Sequence, residues 1–165
     1  MTFSIALQGH ALVCGASRGI GRGAAIALAR RGLRVTALAR DEGLLRALVP
    51  ALRAAGARDA GYIVADLDCR EDAVCAVKQC IDSSGPIHIL VNNTGGPTAG
   101  PMLDASEQEI SHAIGRHVLA SQRLVQVTVP GMRAAGYGRI INVLSSSVRV
   151  PIKGLGVSNL TRAAM

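Results

Sequence analysis

The sequence predicts an α/β fold in which helices cover both faces of a parallel sheet, and three observations carry that expectation. Apolar runs of four to six residues alternate with longer amphipathic segments, the pattern of repeated strand and helix units. Aromatic residues make up only 2% of the chain against 49% hydrophobic residues, so Ala, Val, Leu and Ile must form a core of helices packed closely on a sheet. A glycine-rich turn, CGASRGIG at 14–21, joins the first apolar run to the first helical segment.

The elements follow in order. HALVC at 10–14 reads as the first strand and 19–31 as the first helix, closed by Gly32. RVTAL at 34–38 is the second strand, and the second helix spans 41–55 with Asp41 as its N-cap and Gly56 as its stop. The strand GYIVA at 61–65, a helix over 70–82 ending before Gly85, and the strand PIHILV at 86–91 come next. NNTGGPTAGP at 92–101 is a loop by its Gly and Pro content, and it follows a strand, where parallel sheets bind ligands. One long helix is expected over 106–135, carrying Ile110, Ile114, His117, Val118, Leu124 and Val125 and ended by Gly136, with Pro130 able to bend its last turns. GRIINVL at 138–144 is the fifth strand. No repeat, low-complexity tract or linker divides the chain, so residues 1–165 are expected to form a single domain.

Composition narrows the function classes. Lys and Arg total 18 against 11 acids, for a net charge of +7, and all but Lys78 and Lys153 of the basic residues are arginine. The arginines are scattered, with only Arg30 and Arg31 adjacent at a helix end, which suits polyanionic small molecules and argues against nucleic acid. Cys14, Cys69, Cys75 and Cys80 show no CxxC spacing and form no zinc pattern with the four His, so reduced, mostly buried thiols and no metal are expected. The start, MTFSIALQGH, lacks a basic segment followed by a long apolar run, and no stretch reaches the span a membrane helix needs. A soluble, cytoplasmic protein is the expectation.

The turn after the first strand carries the chemistry. Gly15, Gly19 and Gly21 let the chain turn tightly, bring bare backbone to a pyrophosphate and aim a helix N-terminus at it. A site for NAD has an acidic residue ending the second strand to hold the ribose hydroxyls. Here that place reads ALARDE, with Ala39 in the acidic slot, Arg40 after it and Arg18 inside the turn. Two guanidinium groups beside the ribose suit a 2'-phosphate, so NADP is expected ahead of NAD.

GASRGIG at 15–21, DLD at 66–68, NNTGG at 92–96 and GRIINVLSS at 138–146 arrive in an order and spacing that resembles the short-chain dehydrogenase/reductase family, and most closely its 3-oxoacyl-carrier-protein-reductase-like members. The resemblance runs the whole length of the chain. It implies a Rossmann-type doubly wound sheet in three layers, α/β/α, and hydride transfer between nicotinamide and a small-molecule carbonyl or secondary alcohol. It also implies a homo-oligomer, dimer or tetramer, for a full-length form. By position, Gly15, Ser17, Arg18, Gly19, Ile20 and Gly21 would line the pyrophosphate and ribose, Asp66 and Leu67 the adenine, and Asn93, Thr94 and Gly95 the cofactor at the centre of the sheet.

The same alignment exposes departures. Members of the family use a Ser, a Tyr with a Lys four residues later, and an Asn in the long helix. Ser145 falls on the Ser position, with Ser146 and Ser147 as competitors, whereas Ser158 stands for the Tyr, Arg162 for the Lys and His117 for the Asn. An aliphatic hydroxyl is a far weaker acid than a phenol, while imidazole titrates close to neutrality. His117, with Ser145 or Ser158 and a water, is therefore the expected proton donor, and Lys153 a weaker candidate. Tyr62 and Tyr137 are expected at the sheet end away from the cofactor. A catalytically impaired dinucleotide-binding sensor or subunit, or an inactive fragment of a longer reductase, is the alternative. The family's sheet has seven strands and only five are accounted for, so SNLTRAAM at 158–165 is expected to be the first turn of an element whose remainder is absent, leaving an apolar sheet edge uncovered.

Overall fold

A computed structural model describes residues 9–165; residues 1–8, which contain most of the segment read for a leader peptide, lie outside the described residues. Five strands, β1 (His10–Cys14), β2 (Arg34–Ala39), β3 (Asp59–Val64), β4 (Ile89–Asn92) and β5 (Arg139–Asn142), form one sheet in the order β3-β2-β1-β4-β5. All four pairings are parallel, with Leu12 opposite both Thr36 and Leu90. The chain winds outward from β1 to β3, then returns to place β4 on the other side of β1. A crevice opens at that reversal, outside the carboxyl ends of β1 and β4.

The alternation along β1 builds the three layers. Ala11 and Val13 face a cluster that includes Ala25, Ala29, Leu45, Leu48 and Leu52, from α1 (Gly19–Ala29) and α2 (Glu42–Ala54). Leu12 and Cys14 face the opposite cluster, with Val77 of α3 (Arg70–Ser84) and Leu124 of α5 (Ala120–Ala134). Asp41 caps α2 as expected, its Oδ1 accepting from the Leu44 amide at 3.0 Å. Gly32, Gly56, Gly85 and Gly136 all take positive φ where helices stop.

The long helix expected over 106–135 is not continuous. It divides into α4 (Glu107–Ile114), a π-helical turn over Gly115–Leu119, and α5. Ser106 starts α4 with a capping box closed by Glu109. At Gly115 the Arg70 guanidinium comes so close that a Cβ would collide with it. The widened turn leaves His117 1% exposed, facing the interior.

Three further expectations are corrected. Only Cys14 is buried; Cys69 and Cys75 are exposed and Cys80 is intermediate, because α3 presents two of them on its outer face and at its start. Tyr62 lies inside β3, not at its beginning, paired in register with Ala37, and its hydroxyl donates to Glu42 Oε1 at 3.2 Å. The last helix, α6 (Gly156–Ala164), begins before Ser158, so SNLTRAAM is not its first turn. Two contacts set that earlier start: the Gly156 amide donates to Gly100 O at 2.9 Å, and the Asn159 side chain clamps both backbone groups of Ile152.

All four residues of β5 are exposed, with Ile140 at 41% and Ile141 at 46%. The apolar rim continues through Leu144, Val150, Ile152 and Leu160. This matches the expected uncovered apolar sheet edge.

Candidate functional site

The turn between β1 and α1 is shaped by contacts that only glycine permits. Gly15 has φ 59°, and a Cβ there would strike the Asn93 amide; a Cβ on Gly21 would collide with the Gly15 carbonyl. Asn93 Nδ2 donates to Cys14 O at 3.3 Å and Gly15 O at 3.4 Å, tying the loop after β4 to the turn after β1. Gly19, by contrast, has open space around its Cβ position. The helix begins there with no side-chain cap, since Arg18 makes none, and with no acid in its first turn. Its first amides are unpaired donors at the positive end of a helix dipole. That is an anion cradle.

The cradle opens into a cleft of about 530 Å³ across the carboxyl ends of β1, β2, β3 and β4. Ten residues expected from the sequence line it: Gly15, Ser17, Arg18, Ile20, Arg40, Asp66, Leu67, Asn93, Thr94 and Gly95. Gly19 and Gly21 shape the turn behind the wall. Ala39 ends β2 at 7% exposure and brings no carboxylate. Arg18 Nη2 lies 3.8 Å from Asp41 Oδ2 and Arg40 Nη1 3.7 Å from Asp66 Oδ2. Both guanidiniums are largely exposed, so these pairs hold them only weakly and leave them free to take a phosphate.

Arg116 also lines the cleft, and sequence reasoning missed it. Its Nε donates to Asp68 Oδ1 at 2.8 Å and its Nη2 to Asp68 Oδ2, a two-point grip. That hydrogen bonding holds the Asp68 carboxyl below the usual carboxylate range. The signal was half present in the DLD stretch at 66–68, but no helical period marks Arg116, because it lies inside the π-helical turn.

The four expected catalytic positions come from three segments around the end of β5. Ser145 starts a short 3-10 turn, its Oγ accepting from the Ser147 amide at 3.2 Å, which leaves its proton available to a ligand. Of its competitors, Ser146 is exposed and Ser147 is buried with an unpaired Oγ. Ser158 and Arg162 sit on α6, which packs on both the 3-10 turn and the π-helical turn. Arg162 Nη1 donates to Val143 O at 3.2 Å, and its Nε is buried without a partner. His117 Nδ1 pairs with Thr94 Oγ1 at 2.5 Å, while its Nε2 is buried and unpaired. Lys153 is exposed in the preceding loop.

Burial first, then the Arg162 and Arg116 guanidiniums, push the His117 ring down to about 4, with Asp68 opposing them. The expectation of titration near neutrality is therefore overturned, and at pH 7 His117 is a neutral imidazole. Among the described residues no group of His, Cys, Asp and Glu is arranged to hold a metal ion, and no helix is long and apolar enough to cross a membrane.

Residues 9–164 match the model described as short chain dehydrogenase. The 2,3-dihydroxy-2,3-dihydro-p-cumate dehydrogenase of Pseudomonas putida is 32% identical over 163 residues, which cover 98% of this chain and 63% of that protein. The crystal structure of L-sorbose reductase from Gluconobacter frateurii, complexed with NADPH and L-sorbose, superposes with a TM-score of 0.90 at 31% identity, over 96% of this chain and 60% of that one. A short-chain dehydrogenase from Sphingobium yanoikuyae in complex with NADPH gives 0.82 at 31% identity, over 94% and 60%. This chain thus spans about three fifths of the length of the proteins it is similar to.

Proposed function

Because this chain belongs to the short-chain dehydrogenase family, we propose that it serves an NADP-dependent oxidoreductase that interconverts a small-molecule carbonyl and the corresponding secondary alcohol. The observation that carries this reading is the cleft itself: an uncapped helix start, a glycine turn, and two exposed guanidiniums where an NAD site needs a carboxylate. Two similar structures bind NADPH, which supports the same cofactor here.

The residues fit the dinucleotide in parts. The first amides of α1 take the pyrophosphate, Arg18 and Arg40 take the 2'-phosphate, Asp66 and Leu67 border the adenine, and Ile20, Asn93, Thr94 and Gly95 border the nicotinamide half. When bound in reduced form, the nicotinamide supplies a hydride to the carbonyl carbon. Ser145 Oγ–H donates to the carbonyl oxygen, and Ser158 passes that oxygen its proton through a water. His117 stands at the inner end of this relay as a neutral ring, oriented by Thr94. Arg162 replaces the compact ammonium of the family with a permanent charge, so it fixes geometry and field without itself giving up a proton.

Calorimetric titration tests the cofactor. NADPH is expected to bind more tightly than NADH, and Arg40→Ala is expected to cut that preference by about tenfold or more, the worth of one charge-assisted phosphate contact. An unchanged preference would remove Arg40 from the site. Ser145→Ala, assayed on a panel of carbonyls, is expected to abolish turnover while leaving NADPH affinity intact. The second reading, a protein that binds the dinucleotide without turning it over, is favoured by Ser158 in place of a phenol; NADPH binding with no turnover on any carbonyl would select it.

A further inference from the structure

Resting on the reductase reading above, we propose that the Thr94 hydroxyl donates to the nicotinamide half of the dinucleotide, and that His117 fixes its direction by keeping the imidazole proton on Nδ1. The two side chains reach each other from separate segments. Thr94 stands in the loop after β4, next to Asn93, which is tied to the glycine turn through Cys14 O and Gly15 O. His117 comes from the π-helical turn and is 1% exposed. Its Nδ1 lies 2.5 Å from Thr94 Oγ1, and its buried Nε2 has no hydrogen-bond partner among the described residues. Thr94 lines the cleft and His117 does not, so the ring meets the ligand space through this hydroxyl.

A neutral imidazole carries one ring N–H, and its surroundings decide which nitrogen keeps the proton. On Nε2 the proton would be a buried donor with no acceptor. It would also lie in a positive field, since after burial the Arg162 and Arg116 guanidiniums are the largest influences on the ring. Asp68, which opposes them, has both carboxylate oxygens engaged by Arg116. On Nδ1 the proton has Thr94 Oγ1 to bond. The bare Nε2 lone pair then faces positive charge, which favours it, and an unsatisfied buried acceptor is better tolerated than an orphaned N–H.

The consequence falls on Thr94. A hydroxyl has a single hydrogen, and when the ring donates to Oγ1 that hydrogen cannot turn back to Nδ1. Among the described residues His117 is the one hydrogen-bond partner of Oγ1, so no protein group takes it. Thr94 is half-buried on the cleft wall between Asn93 and Gly95, the stretch that borders the nicotinamide half in the reading above. The hydroxyl and carboxamide oxygens of a nicotinamide riboside accept such a bond. The adenosine half is met by other residues, Arg18, Arg40, Asp66 and Leu67.

Two measurements test this. In nitrogen–proton NMR correlations of the histidine rings at pH 7, the His117 signals, identified by their loss in His117→Gln, are expected to show the Nδ1–H form. The Nε2–H form in the unmodified chain overturns the proposal. Calorimetry then compares NADPH with adenosine 2',5'-bisphosphate, which lacks the nicotinamide half. Thr94→Val, which keeps the shape and removes the hydroxyl, is expected to weaken NADPH by about threefold to tenfold, the worth of one hydrogen bond, and to leave the bisphosphate unchanged. Thr94→Ser is expected to restore most of that loss, with thermal unfolding reporting that each variant folds. Unchanged NADPH affinity in Thr94→Val, or an equal loss for both ligands, overturns the proposal. Failure of the unmodified chain to bind either ligand instead removes the reductase reading, and this inference with it.

Discussion

Gly21→Ala is expected to abolish measurable dinucleotide binding and to lower stability by about 1–3 kcal/mol, the usual cost of forcing a methyl into a filled space. The new Cβ would run into the Gly15 carbonyl and crowd Asn93 Nδ2, the two groups that hold the phosphate turn closed. Relief requires the turn to open, which moves the first amides of α1 off their aim. Gly19→Ala separates the two effects. That position has positive φ, 52°, but empty space around it, so the fold loses only about 1–2 kcal/mol of left-handed strain. A loss of affinity in Gly19→Ala with little loss of stability is expected if the α1 start takes the phosphate, because the added methyl sits in open space at that start. Urea midpoints and NADPH calorimetry on both variants check this, and full NADPH affinity in Gly21→Ala would show that the turn is not the phosphate site.

Those contrasts show what could be read from the sequence alone. The alternation of short apolar runs with amphipathic segments located all five strands and the first three helices, with the bounds of β3 and β4 shifted by two or three residues. The cleft was equally legible, since its glycines, Arg18, Arg40 and the NNTGG loop are adjacent in sequence or follow strand ends. What escaped depends on neighbours distant in the chain. The π-helical turn begins at Gly115, which the Arg70 side chain approaches from forty-five positions away, and no helical period records that approach. His117 shows the same limit: its residue type promised a titrating group, yet burial and two guanidiniums from separate helical segments keep it neutral.

Lowering the pH from 7 to 4 is expected to remove about 5–6 kcal/mol of stability, comparable with the whole stability of a small domain. Two buried imidazoles, His10 and His117, carry most of the effect, and His88, which burial also holds below its usual value, adds to it in the same direction. His10, 3% exposed, pairs its Nε2 with Thr36 Oγ1 at 2.7 Å, and burial is the largest cause holding it down to about 4, followed by a raising hydrogen bond at Gly85, the lowering charges of Arg34 and His88, and the raising charge of Asp59. His117 is held to about the same value at the other end of the sheet. In the unfolded chain both rings titrate near 6.5, so between that pH and 4 the unfolded state binds two protons that the folded state refuses. The sign follows: the contribution is complete above about 6.5 and is lost as the pH falls toward 4, at about 3 kcal/mol for each ring. Being at opposite ends of β1 and β4, the two sites should add. Urea unfolding at pH 7, 5.5 and 4.5 measures the slope, and His10→Gln, which keeps a side-chain partner for Thr36, should halve it. Asp68, whose carboxyl is held low by Arg116, loses its stabilising charge only below the range in which the imidazoles act, so it does not mask them. A midpoint that stays level from pH 6.5 to 4.5 would mean that neither ring is shielded from water in the folded protein, and the relay built on a neutral His117 would fail with it.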